Sequence, residues 1–84
     1  LPPHVPLWYW ATAFYYVNRG EMAPALAEFT KGHALDPGTK DYATLAAFCA
    51  GRLGQTARAQ ARLDSLPDLP DYYADRAIVY AGLR

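Results

Sequence analysis

Small and large residues recur in this chain at a fixed step. Ala13, Gly20, Ala25 and Phe29 are answered by Ala47, Gly54, Ala59 and Leu63, each 34 residues further on. A constant period of this kind marks an internal repeat, whose units cannot bury their apolar faces alone and stack on one another to do so. The small positions suit helix crossings, and the large ones fill the space between.

Apolar spacing within each unit is helical. A first helix is expected over Leu7–Asn18, with Leu7, Trp10, Phe14 and Val17 on one face and Tyr9, Ala13 and Tyr16 on a second. A helix apolar on two sides is either sandwiched or half given over to a ligand. Asn18-Arg19-Gly20 ends it, glycine taking the left-handed conformation without steric cost. A second helix over Met22–Leu35 has Pro24 in its first turn, with Ala25, Phe29 and Gly32 on one stripe. Gly32 costs about 1 kcal/mol relative to alanine, which reads as close backbone packing or as a tolerated defect.

Asp36-Pro37-Gly38-Thr39 is a stop and turn. A third helix is expected over Lys40–Leu53, capped by Thr39 or Asp41. A fourth follows Thr56, as its N-cap, and runs to Leu66, where Pro67 and Pro70 stop it. A fifth covers Asp71–Leu83, with Asp68-x-x-Asp71 as a capping box. Its Tyr73-x2-Arg76-Ala77-x2-Tyr80 repeats the spacing of the first helix, but Tyr73 lies 30 residues after Ala43, so the second unit is about one helical turn short. The fold class is therefore all-α, with about five helices.

These residues resemble the tetratricopeptide repeat family, whose pattern is about 34 residues long. Residues 6–39 match it at Tyr9, Ala13, Tyr16, Ala25, Phe29 and Pro37, with Thr12 in place of the usual Leu and Gly32 in place of a small Ala. Residues 40–69 match at Ala47, Gly54, Ala59 and Leu63 and lack the closing Asp-Pro, while Ala43 and Ala50 replace aromatic positions. Residues 70–84 look like a lone capping helix. The resemblance implies antiparallel helix pairs stacked as a short superhelix over residues 7–84, after an extended, proline-rich lead-in over 1–6. It also implies that Tyr16, Phe29, Leu63 and Tyr80 fill the gaps between helices. About three units are usually needed for stability, and this chain has about two and a half.

The resemblance further implies that the first helix of each unit lines a concave groove that grips peptides or helices. Carried over, that groove comprises Leu7, Trp10, Phe14, Val17 and Asn18, then Asp41, Thr44, Phe48, Gly51 and Arg52, then Asp71, Ala74, Ile78 and Ala81. Phe14 and Phe48 should lie side by side. A subgroup of the family clamps a C-terminal carboxylate with Lys, Asn and Arg, but Trp10, Phe14 and Thr44 hold those places here. The surface is apolar and suits an amphipathic helix or apolar peptide. The alternative is that Trp10 and Phe14 are packing.

Composition narrows the partner classes. A formal net charge of zero favours neither nucleic acid nor an anionic membrane. No apolar run reaches the roughly 20 residues of a membrane span, and a soluble chain is expected. The hydrophobic fraction of 52% is high for 84 residues, which points to a protein partner or to self-association. The opening on Leu1 rather than Met reads as excision from a longer protein.

Catalytic and cofactor motifs are lacking. His4 and His33 have no ligand spacing around them, so neither metal nor cofactor is expected. Cys49 reads as a buried structural thiol. Arg58 and Arg62, i and i+4, read as a solvated outer face, with a phosphate-binding stripe as the alternative. Asp71 and Asp75 share a face of the fifth helix but lack an opposing partner. The expected role is a protein–protein interaction module, and the alternative is a structural, self-associating or regulatory segment of a larger protein.

Overall fold

Two glycines set the tertiary course of the chain. Gly20 and Gly54 have φ of 76° and 83°, the left-handed region that side-chain-bearing residues avoid. Around Gly20, the Gly20 amide donates to Val17 O (3.0 Å) and the Glu21 amide to Tyr16 O (2.9 Å). Around Gly54, the Gly54 amide donates to Gly51 O (3.1 Å) and the Gln55 amide to Ala50 O (2.8 Å). Both are Schellman motifs, and every donor and acceptor of the second lies 34 residues after its counterpart.

The computed structural model describes residues 6–84, with side chains from Trp8 onward. The helices are α1 (Pro6–Asn18), α2 (Met22–Leu35), α3 (Lys40–Arg52), α4 (Thr56–Ser65) and α5 (Tyr73–Leu83), with a 3₁₀ turn at Pro70–Tyr72. No strand occurs among the described residues. Pro6 takes the first position of α1, where its missing N–H costs nothing. The extended lead-in otherwise lies outside the described residues.

None of the expected side-chain caps forms. The N-cap positions of α2, α3, α4 and α5 lack a side-chain hydrogen bond to the helix. Thr39 instead donates its hydroxyl to Asp36 Oδ2. Thr56 is the first helical residue of α4 rather than its cap. The Schellman turn ends at Gln55, so the loop leaves no further residue to serve. The Asp68-x-x-Asp71 segment runs into the Pro70–Tyr72 3₁₀ turn, which the Tyr72 amide holds by donating to Leu69 O (2.9 Å).

Two apolar clusters share α3. The first gathers Ala13, Ala25, Leu26 and Phe29 with Tyr42, Ala46, Cys49 and Ala50. The second gathers Ala47, Ala59, Leu63 and Val79. Neighbouring Ala46 and Ala47 thus face different cores, and α3 packs against α2, α4 and α5. Gly32 belongs to the close-packing case: a Cβ there would stand 2.6 Å from the Tyr42 ring.

Contact between α3 and α5 is closer still. A Cβ on Gly51 would meet the Gly82 carbonyl at 2.8 Å, and one on Gly82 would meet Phe48 O at 2.4 Å. These helices touch backbone to backbone. Side chains instead hold α1 away from α3, with the Trp10 ring centroid 5.4 Å from that of Tyr42.

The fifth helix departs from the sequence reading. Its inward residues are Asp75, Val79 and Gly82. Tyr73 and Tyr80, expected to mirror Tyr9 and Tyr16, are 53% and 52% exposed, and Ala77 is exposed with them. Ala13 buries against α2 and Ala47 against α4. Among the described residues no helix follows α5 to cover the equivalent face.

Candidate functional site

A cleft of about 230 Å³ opens where α1, α3 and α5 converge, lined by Trp10, Phe14, Asp41, Thr44, Leu45 and Ile78. Its α1 wall is an aromatic stack. Trp10 lies 5.1 Å from Phe14 and edge-on to Phe29 at 6.1 Å, and Phe14 meets Phe29 edge-on at 5.5 Å. Such tilted and edge-to-face pairs are worth about 0.5–1.5 kcal/mol each beyond area burial. Phe29 is fully buried, so the wall is anchored in the core while one side of it stays open. Opposite stands Ile78, 37% exposed. Asp41 is exposed at the rim and forms no ion pair among the described residues.

The groove is shorter than the sequence suggests. Of the expected residues, Trp10, Phe14, Asp41, Thr44 and Ile78 come together. Val17 and Phe48 line no part of the cleft; like Trp10, Phe14 and Leu45, which do, they pack against the first core cluster. Phe14 pairs with Trp10 and Phe29, and Phe48 joins none of the described aromatic pairs. Asn18 and Arg52 are exposed at the ends of α1 and α3, outside the cleft. Gly51 and Ala81 are only partly exposed and line no part of it, because α3 and α5 close on each other at Gly51 and Gly82. Asp71 and Ala74 are exposed but lie outside it. The Leu7 side chain lies outside the described residues. Leu45 is the lining residue that sequence reasoning missed; it sits one position after Thr44, and only the rotation of α3 brings it to the wall.

Thr44 is floor rather than contact surface. It is 1% exposed, and its hydroxyl donates to Asp75 Oδ2 at 2.7 Å. Asp75 is itself 4% exposed and also accepts from Lys40 Nζ at 3.0 Å. Lys40 Nζ further donates to Asp71 O (2.6 Å) and lies 4.6 Å from the centre of the Tyr72 ring. Arg62 spans from α4, donating to Thr44 Oγ1 through Nη2 (3.2 Å) and to the Lys40 carbonyl (3.2 Å).

Burial pushes the Asp75 pKa up, but hydrogen bonds from Thr44 and Lys40 and the charges of Lys40 and Arg62 outweigh it, leaving the carboxyl below its ordinary value. Hydrogen bonding to Asp75 raises Lys40 in turn. The network ties α3, α4 and α5 together beneath the cleft. Asp75, read as lacking an opposing partner, is therefore an anchor paired with Lys40, whereas Asp71 is exposed in the 3₁₀ turn before α5.

The outer-face reading of the arginines holds for exposed Arg58 and fails for Arg62. Arg62 is half-buried in that network, and Arg58 donates to Thr30 Oγ1 on α2 at 3.3 Å. Cys49 is fully buried, and burial pushes its thiol up to about 11. No group of three or more metal-ligating side chains forms among the described residues, and no described helix is long and apolar enough to cross a membrane.

Set against known protein families, curated proteins and solved structures, the chain matches none.

Proposed function

We propose that this chain is a protein-binding module of tetratricopeptide-like build, with the α1–α3–α5 cleft as its recognition site. The observation that carries the reading is the partly open wall of Trp10, Phe14, Leu45 and Ile78 beside the exposed carboxylate of Asp41, which forms no ion pair among the described residues. Large apolar side chains left half-covered in a concavity are the usual energetic centre of an interface. The partner that fits is a peptide or amphipathic helix placing one aliphatic or aromatic side chain in the cleft and a lysine or arginine against Asp41. Support for the repeat build comes from the paired Schellman turns at Gly20 and Gly54, and from a cleft lined by the first helix of each unit.

Selection from a displayed peptide library, followed by amide chemical-shift mapping of the best binder, tests the proposal. Enriched peptides should share an apolar residue with a base nearby, and their shifts should centre on Trp10, Leu45 and Ile78. Ile78→Arg should abolish binding while the helical signal stays. Enrichment of peptides that map elsewhere, or that bind Ile78→Arg unchanged, refutes the reading.

A second reading rests on the exposed stripe Tyr73, Ala77 and Tyr80, which has the composition of the α1 and α3 faces that receive a following helix. A helix of another copy or of another segment would cover it. Sedimentation across a concentration series tests self-association, and Tyr80→Glu should shift the distribution toward monomer. A concentration-independent monomer rejects the second-copy form.

A further inference from the structure

The outward side of α5 has the make-up of a buried one. We infer that it pairs with the same face of a second copy, antiparallel about a twofold axis near Ala77, which rests on the self-association reading above and fixes its occupant and geometry.

A helix at a protein surface ordinarily turns its charges to water and its apolar side to the core. Here α5 does the reverse. It holds two charged residues, Asp75 and Arg76. Asp75 is buried and accepts from Lys40 and Thr44. Arg76 is half-buried and donates through Nη2 to Leu66 O (2.7 Å). The solvent side is left to Tyr73, Ala74, Ala77 and Tyr80. Neighbouring α4 follows the ordinary rule, with Arg58, Gln60 and Asp64 exposed.

The face complements itself. Tyr73, Ala77 and Tyr80 stand at i, i+4 and i+7, two large residues about a small one on a single side. Antiparallel packing sets Tyr73 of each copy beside Tyr80 of the other, with both Ala77 residues at the crossing, where a short side chain allows close approach.

Charge selects that direction. Asp71 is exposed in the turn before α5, and Arg84 is exposed just past its end. Neither forms an ion pair among the described residues. Turned end for end, a second copy brings its Arg84 beside Asp71 of the first, and the twofold axis makes the contact twice. A parallel pair would instead set Asp71 against Asp71 and Arg84 against Arg84. The helix dipoles also oppose one another only in the antiparallel sense. Two helices of 11 residues, each about 16 Å long, bury less than the roughly 1,200 Å² of a standard interface, so the dimer is weak and forms with rising concentration.

The test follows the 84-residue chain from micromolar to millimolar concentration by sedimentation equilibrium and amide chemical shifts. Shifts should move with concentration at Tyr73, Ala77 and Tyr80 and stay fixed at Trp10 and Leu45 in the cleft. Asp71→Arg and Arg84→Asp should each weaken the dimer about tenfold at low ionic strength, since symmetry counts each reversed contact twice. Circular dichroism should show the parent's helical signal in both. Mixed together, the two variants should regain the parent's affinity, because an arginine then meets an aspartate at both ends. A chain that stays monomeric throughout overturns the pairing and the self-association reading together. Association that is unchanged in both variants, that is no tighter in the mixture than in either variant alone, or whose shifts centre on the cleft overturns the antiparallel α5 pair and leaves self-association standing.

Discussion

Replacing Gly82 with alanine sets two known effects against each other. Alanine is favoured over glycine inside a helix by about 1 kcal/mol, so the substitution should stabilise α5 taken alone. The added Cβ, however, would stand 2.4 Å from Phe48 O and 2.8 Å from Phe48 Cα. Both are main-chain atoms of α3, so no rotamer change relieves the overlap and the helices must separate. Separation loosens the Val79 packing in the second cluster and strains the Thr44–Asp75 bond between the same two helices. Overpacking of this kind costs about 1–3 kcal/mol, and a backbone clash belongs at the upper end. The net expectation is a loss of about 2 kcal/mol, or roughly 8–16 °C in Tm for a domain of this size. Thermal and urea unfolding followed by circular dichroism measure it. Gly32→Ala should cost less, because the atoms it meets belong to the Tyr42 ring, which can yield. Gly38→Ala is the control: its nearest neighbour is Asp36 Oδ1 at 3.8 Å, so the change should be neutral or stabilise by a few tenths of a kcal/mol. A Gly82→Ala chain at least as stable as the parent would refute the backbone contact between α3 and α5.

Other substitutions probe separate features. Trp10→Ala removes the centre of the aromatic stack and should cost about 3–5 kcal/mol in urea unfolding, whereas Trp8→Ala, at a site 63% exposed, should stay within about 0.5 kcal/mol; equal effects would misplace the wall of the cleft. Folding lowers the Asp75 pKa, so its stabilisation is present above the ordinary value of 3.8 and is lost as pH falls below that, through the folded value. Asp75→Asn should flatten this acid limb of a stability–pH profile, and an unchanged limb would remove Asp75 as its source. Cys49, buried and with its thiol near 11, should resist thiol reagents at pH 8 and react readily once unfolded. Rapid labelling of the folded chain would contradict that burial.

What the sequence disclosed and what it hid divide along a physical line. Helix ends were legible because glycine and proline act locally: Gly20, Gly54, Pro37 and Pro67 each stop a helix within a residue or so of the expected place. Phe29 and Leu63 were legible as core because the 3.6-residue period places them on the inward stripe. The burial of Asp75 was not, since its partners Lys40 and Thr44 lie 35 and 31 residues away and nothing local marks them. Gly51 was read as a groove position because its packing depends on Gly82, across a unit whose length departs from the period. Tyr80 was read as a gap filler by analogy with Tyr16, whereas its exposure follows from what lies beside α5 in space. The candidate cleft was half legible: periodicity placed Trp10 and Phe14 on one face and the family resemblance supplied Ile78, but only the approach of α3 to α5 sets where the groove ends.

The division of α3 between two cores bears on how the molecule opens. α1 and α2 rest on one side of α3, α4 and α5 rest on others, and α2 meets α4 through the side-chain bond of Arg58 to Thr30. Either half can detach while the other stays seated, so native-state hydrogen exchange should resolve two cooperative units, with the α3 amides the last to exchange. A ligand seated in the cleft touches α1, α3 and α5 together. Its binding energy would therefore oppose the opening of both units and merge them into one, giving slower exchange in helices that the ligand never contacts.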